Sequence, residues 1–347
     1  MIFATLLDRP KNNLNLIRLI ASLLVTFSHA FILTGHLKQE PFLLLTGDQT
    51  FGYIAVFIFF VISGLLISRS FDHNSNIYQY IGSRVLRIYP ALLSTLLLCA
   101  LPLGLWLTTL TADSYIRNRE VLRYVTDNLL FNINHRLPGV FDNLVDSNSV
   151  NGSLWTLGFE VYAYLLVILF GGLGLLRNKN IFNLSVVGLI LLYAKEPVGF
   201  LLVPAKWDAP IFMPLLGFLF GISVYVNRIW IECKFRYIIL AAIIYIAFRH
   251  SALNVPIYAI SIGYLVLAIG FHPKLQLNIL MKNDYSYGIY VYSFPIQQVT
   301  MSLLPTLAPW QHFLISLLFV IPLAVVSWHF LEKPALRLKK YLPQSIP

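Results

Sequence analysis

Apolar stretches of about 20 residues, separated by polar connections, recur along the whole chain, the pattern of a polytopic helical membrane protein. Ten spans are expected, at roughly 14–34, 52–68, 88–107, 157–176, 181–194, 210–226, 237–248, 256–271, 285–304 and 312–331. Those at 181–194 and 237–248 are short for a crossing. The predicted fold class is all-α, a polytopic integral membrane helical bundle of about ten transmembrane helices, forming a single domain over residues 1–347. An even number of crossings puts both termini on one side. The long connection at 108–156 falls on the other, outer side. Within it "RNREVLRYVTDNLLF" (117–131) has apolar residues at helical spacing and is expected to lie on the membrane surface as a helix. "NHRLPGVFDNLVDSNSVNGS" (134–153) is rich in Asn, Asp, Gly and Ser and reads as irregular chain.

The first span, "LNLIRLIASLLVTFSHAFIL" (14–33), breaks the apolar pattern in an ordered way. Asn15, Arg18, Ser22, Thr26 and His29 recur at spacings of three and four, which confines them to a quarter of a helix circumference at about 100° per residue. Arg18 and His29 are only about 20° apart around the axis and roughly 16 Å apart along it. An arginine in mid-span costs about 2.5–3.5 kcal/mol on insertion scales, so it faces protein or water and by default marks a functional path. The bland alternatives are a snorkelling Arg18 and a satisfied core histidine.

Composition narrows the class. The chain is 58% hydrophobic and 12% charged, with a mean hydropathy of +0.73, whereas a soluble domain carries about 25% charged residues. The net charge of +10 would raise nucleic acid for a soluble protein. Here basic connections set orientation, and no nucleic-acid partner is expected. With a cytoplasmic N-terminus, the inner connections, which include Arg84, Arg87, Lys274 and Lys282, hold twice the Lys and Arg of the outer ones, which include Lys206 and Arg249. This places the chain as a multi-pass protein of the cell (inner or cytoplasmic) membrane with both termini cytoplasmic. Cys99 and Cys233 suggest neither a disulfide framework nor a metal site, and no metal is expected. The first apolar segment is longer than a signal-peptide core and is expected to be retained.

Further polar residues mark the other spans. Ser63-Gly64, in "GYIAVFIFFVISGLLIS" (52–68), permits close helix approach. Arg84 and Arg87, in "SRVLRIYP" (83–90), share a helical face, and guanidinium forks suit phosphate. Glu160, in "NGSLWTLGFEVYAYL" (151–165), sits about one turn into an apolar helix behind Trp155, itself a candidate interfacial residue. "NDYSYGIYVYSFPIQQ" (283–298) sets Ser286, Tyr290, Ser293 and Gln297 on one face, and "HFLEKPALRLKK" (329–340) ends the last span with a proline stop and a basic anchor.

In their joint order these motifs resemble the signature of acyltransferase family three, multispanning membrane O-acyltransferases that modify glycans among other acceptors. Arg18-x10-His29, the Phe-Phe-x-Ile-Ser-Gly of the second span, Arg-x-x-Arg-Ile-x-Pro, Ser-Leu-Trp-Thr-Leu-x-x-Glu, Tyr-Ser-Tyr-Gly-Ile-Tyr and Glu-x-Pro all find counterparts, over about 12–338. The chain departs at Phe57, where many members carry an acid, and at Ser293, where many carry a histidine. The resemblance implies transfer of an acyl group, acetyl foremost, from cytoplasmic acyl-CoA to a hydroxyl of a glycan or lipid-linked saccharide on the outer side. It implies His29 and Glu160 as catalytic residues and Arg18, Arg84 and Arg87 as donor-binding. Ser63, Trp155, Tyr287, Tyr290 and Glu332 are implied at the acceptor or in support. Acyl-CoA is a co-substrate rather than a bound cofactor, and the expected partners are acyl-CoA, the saccharide and the lipid bilayer. The residues leave open the acyl group, the acceptor, the oligomeric state, and direct transfer versus an acyl-histidine. A transporter or flippase of lipid-linked saccharides, or a glycan polymerase, is the alternative.

Overall fold

The computed structural model of the chain describes residues 1–9, 11–73, 76–146, 149–195, 212–248, 250–251, 253–272 and 283–343. Lys206, Arg249, Lys274 and Lys282 of the charge pattern lie outside them. Among the described residues there is no β-strand, and each of the ten expected segments is helical. These are α1 (Leu14–Leu33), α2 (Phe51–His73), α3 (Ile77–Leu98), α4 (Trp155–Gly172), α5 (Lys179–Lys195), α6 (Phe212–Val226), α7 (Phe235–Phe248), α8 (Asn254–Gly270), α9 (Ser286–Leu303) and α10 (Pro309–Ser327). Five stretches are long and apolar enough to cross a membrane by length and composition: α1, α2, Ile77–Leu107, Gly152–Gly172 and Pro309–Tyr341. Segments of α5 to α8 are apolar but shorter, and α9 is too rich in Tyr, Ser and Gln to join that class.

Two helices run past their expected ends for local reasons. The third was expected from residue 88 but begins at Ile77, so Arg84 and Arg87 sit well inside a regular helix. It continues through a wide π-type turn at Cys99–Leu103 into Gly104–Leu107. Pro102 lies in that turn, where its missing N–H is tolerated. After α10 a similar turn, Trp328–Glu332, leads into Lys333–Arg337. The connection at 108–156 holds the helix Arg119–Leu129, capped by the Asn118 side chain, which accepts from the Glu120 N–H. The stretch 134–153, expected to be irregular, closes on a short 3-10 turn, Gly152–Leu154, and its residues 134–146 and 149–151 are irregular. Side chains tie them down: Asn128 Nδ2 donates to the Asn134 carbonyl at 2.7 Å, and His135 Nδ1 lies 3.0 Å from the Asn151 carbonyl.

The chain divides into two compact units. One comprises residues 1–18, 56–77 and 160–282, the other 19–55, 78–159 and 283–347. In the first, α2 and α6 cross at glycines. A Cβ on Gly64 would stand 2.1 Å from the Phe218 carbonyl oxygen, and one on Gly221 would stand 2.3 Å from that of Val61. Small residues let backbones approach this closely. Phe57, fully buried, fills the same crossing beside Gly217. The second unit is organised around α9, buried on nearly every side, where Ile289 meets Val320 and Ala324 of α10.

Candidate active site

The polar residues of α1 that belong to the second unit face its interior. Ser22 and Thr26 are fully buried, while Ile20 on another face is 47% exposed. Their hydroxyls fold back on the helix, Ser22 Oγ to the Leu19 carbonyl at 2.8 Å and Thr26 Oγ1 to that of Ser22 at 2.9 Å. This satisfies two hydroxyls that would otherwise be orphaned in an apolar environment. His29 is half-buried. Its ring meets the edge of Phe294 on α9, with centroids 5.1 Å apart and planes at 80°. Its Nδ1 is enclosed without a hydrogen-bond partner among the described residues. Phe294 rests on Gly152, where a Cβ would come within 2.5 Å of the phenyl ring. The glycine of "NGSLW" therefore leaves room for the ring that backs the imidazole.

The α9 helix supplies most of the polar contacts in this unit. Pro295 lacks the N–H that would reach the Val291 carbonyl; Thr95 Oγ1 and Asn151 Nδ2 donate to that carbonyl instead, at 3.2 and 2.9 Å. Gln297 Nε2 donates to the Thr26 carbonyl at 2.8 Å. Gln298 Nε2 donates to the carbonyls of Asp146 and Ser149 at 2.9 and 2.7 Å, clamping the irregular connection. Tyr287 donates to the Ile88 carbonyl at 3.0 Å, and the Tyr290 and Thr156 hydroxyls lie 2.6 Å apart. Ser293 Oγ donates to the Tyr290 carbonyl at 3.3 Å. The expected one-sided polar face of 283–298 thus belongs to a helix buried on nearly every side, with most of its polar side chains hydrogen-bonded to neighbouring helices and loops.

The paired arginines of α3 have different surroundings. Arg87 donates to Asp284 Oδ2 at 2.7 Å, lies 3.7 Å from Glu332 Oε2, and sits over the Tyr287 ring at 5.5 Å. Asp284 also accepts from the Ser286 hydroxyl, and Glu332, only 1% exposed, accepts from Ser327 Oγ at 3.0 Å. Arg84 instead donates to Ser83 Oγ at 3.3 Å and stands 5.6 Å from the Tyr80 ring centroid. Lys339, on the turn Leu338–Tyr341, lies in the electrostatic field of both guanidiniums. Leu342 anchors that turn against Gly82, where a Cβ would be 2.8 Å from it.

Of the residues expected at the site, Arg87, Tyr287 and Glu332 are brought into direct contact. His29, Arg84, Trp155 and Tyr290 share their unit. Trp155 packs edge-on to Phe159, with centroids 5.9 Å apart. Arg18, Ser63 and Glu160 belong to the other unit. There Ser63 is half-buried beside the Gly64 crossing, and Glu160 accepts from Tyr164 one turn further along α4. Asp284, Lys339, Asn151 and the Gln297-Gln298 pair were not among the sequence candidates. Consecutive amides in mid-span were the available signal, since buried polar groups must find partners.

A helical bundle whose buried α9 backs an imidazole and whose α3 guanidinium is braced by two carboxylates is a multi-pass membrane protein with an enclosed polar centre. Its family follows from comparison: residues 11–329 match the family described as Acyltransferase domain, and the chain belongs to that family. It is similar to the O-acetyl transferase of Shigella phage Sf6, 27% identical over 343 residues that cover 95% of this chain and 96% of that protein. It is also similar to Nodulation protein 10 of Rhizobium leguminosarum bv. viciae, 25% identical over 355 residues, covering 96% and 95%. No solved structure matches the chain. With the family shown, the protein is a membrane acyltransferase, and the transporter and polymerase readings lose their support.

Proposed function

We propose that the protein is an O-acetyltransferase that takes the acetyl group from cytoplasmic acetyl-CoA and places it on a hydroxyl of a glycan or lipid-linked saccharide on the outer side of the cell membrane. The observation that carries this reading is the His29 imidazole, half-buried on the protein-facing edge of α1 and backed by Phe294. The name of the phage relative supports the acetyl group. An alcohol is a poor nucleophile near neutral pH, and a positioned imidazole is the usual remedy. His29 takes the hydroxyl proton as the oxygen attacks the thioester carbonyl; the C–S bond breaks, and the imidazolium returns the proton to the departing thiolate. A two-step route uses the same ring as nucleophile, forming an acyl-imidazole that the hydroxyl then relieves.

Three cations, Arg84 and Arg87 of α3 and Lys339 of the C-terminal turn, suit the donor's phosphates. Arg87 is held in place by Asp284 and Glu332, and together with Arg84 and Lys339 it keeps this region positive for an incoming anion. Arg18 and Glu160 enter the proposal on sequence alone, as donor-binding and acceptor-orienting groups. Purified protein in lipid nanodiscs should release coenzyme A from labelled acetyl-CoA in the presence of cell-envelope glycan. His29→Ala should fold, insert and release none; full activity in that variant ends the assignment. Arg18→Ala should weaken donor use more than acceptor use. Quenching a single turnover and searching for acetyl-His29 separates the two routes.

A further inference from the structure

Gln297 is fully buried, and its amide is oriented by its surroundings. The Thr26 carbonyl, 2.8 Å away, can only accept, so the amide nitrogen faces it and Oε1 points elsewhere. Oε1 has no partner among the described residues, and neither has the enclosed Nδ1 of His29. A buried polar atom without a partner costs about 1–3 kcal/mol, so two such atoms on facing helices call for an explanation.

Two contacts place the imidazole and the Gln297 amide on the same stretch of the α1–α9 interface. His29 meets Phe294, and Thr26, one turn earlier on α1, meets Gln297, one turn later on α9. Further back along both helices, Leu19 and Leu23 of α1 pack against the cluster that holds Ile289 of α9, so the two helices run in the same direction. A helical side chain leans over the turn N-terminal to its own Cα, which carries the imidazole toward the level of Thr26, where the Gln297 amide sits. His312 Nε2 lies 2.8 Å from the Gln297 main-chain carbonyl, pinning this turn of α9 from α10.

We infer that Gln297 is a positioning residue for His29, linked to it by one bridging water that accepts from Nδ1–H and donates to Oε1. The inference rests on the reading of His29 as the reacting group. Its consequence is a fixed tautomer. Nδ1, sealed from solvent, carries the proton, and Nε2 holds the lone pair that attacks or abstracts in either route.

The test uses full-length protein in nanodiscs with acetyl-CoA as the probe donor. Gln297→Met keeps length and removes the acceptor; kcat should fall about 100-fold with the KM for acetyl-CoA within about twofold. Gln297→Glu keeps the acceptor and loses the N–H given to Thr26, so it should retain activity well above Gln297→Met. If the amide were only a staple to Thr26, the order would reverse, because a carboxylate facing a carbonyl is worse than a methyl group. Should both variants fail to insert, the wild-type protein still decides. The 15N spectrum of labelled histidine, with His29 identified by its loss in His29→Gln, should show a protonated Nδ1, and a protonated Nε2 overturns the inference. An inactive His29→Ala beside a fully active Gln297→Met sinks this inference alone, whereas an active His29→Ala sinks the proposed function.

Discussion

Arg87 of α3 and Asp284, just before α9, form a 2.7 Å ion pair across 197 residues of chain. Glu332 approaches the same guanidinium from beyond α10 at 3.7 Å, so one side chain ties three segments together. Removing one partner from a buried pair costs about 3–5 kcal/mol, because the remaining charge is left uncompensated. Arg87→Met should therefore lower thermal stability in detergent strongly, since it strands the almost fully buried Glu332. Arg87→Met combined with Glu332→Gln should be less damaging than the sum of the two. Strict additivity would show that the pair is not coupled.

Gly152 tests the backing of the imidazole. An added methyl would stand 2.5 Å from the Phe294 ring, an overpacking worth about 1–3 kcal/mol. The ring has to shift, and His29 shifts with it. Gly152→Ala should keep the protein in the membrane while acetyl transfer falls at least tenfold, and Phe294→Leu in the same chain should restore part of it. Wild-type turnover in the single variant would show that the ring does not set the imidazole.

Much of this could be read along the chain, and the limits have a physical pattern. The boundaries of α1 and its edge of Ser22, Thr26 and His29 follow from helical periodicity, which is local. The start of α3 was misplaced because Arg84 and Arg87 look like a boundary at an apolar run, yet helical packing continues back to Ile77. An acid at the end of an apolar span needs a cationic partner, so a partner for Glu332 is legible in kind; that it is Arg87, shared with Asp284, depends on tertiary placement. The 283–298 segment shows one polar face on a wheel, but burial on nearly every side depends on neighbours that the wheel omits. Gln297 was noted only as part of that face. Its orphaned oxygen is visible only when α1 and α9 are seen side by side.

The crossing of α2 and α6 separates packing from chemistry at Ser63-Gly64. A Cβ on Gly64 meets backbone, the Phe218 carbonyl oxygen at 2.1 Å, and backbone cannot swing aside as a side chain can. Gly64→Ala should reduce the yield of folded protein and lower its melting temperature, whatever its effect on turnover per folded molecule. Ser63→Ala, on the neighbouring half-buried position, should leave stability within about 0.5 kcal/mol. A measured loss of acceptor affinity in that variant would support its assignment at the acceptor.

Lys339 lies near Arg84 and Arg87, and like charges gathered in one place repel. Asp284 and Glu332 meet part of this charge through Arg87; a further anion would offset more of the repulsion, and phosphate is the anion the proposed donor brings. Lys339→Gln should raise the KM for acetyl-CoA about tenfold at low salt, and the difference should shrink as salt screens the cluster. Lys339→Arg keeps the charge and should stay close to wild type. The sharper comparison uses S-acetyl-pantetheine, which carries the same thioester without phosphates. Its KM should be unaffected by Lys339→Gln, because nothing on it remains for the ammonium to hold. Equal losses with both donors would mean that Lys339 supports the docking of the C-terminal turn on Gly82 instead, and the donor phosphates would have to be sought elsewhere.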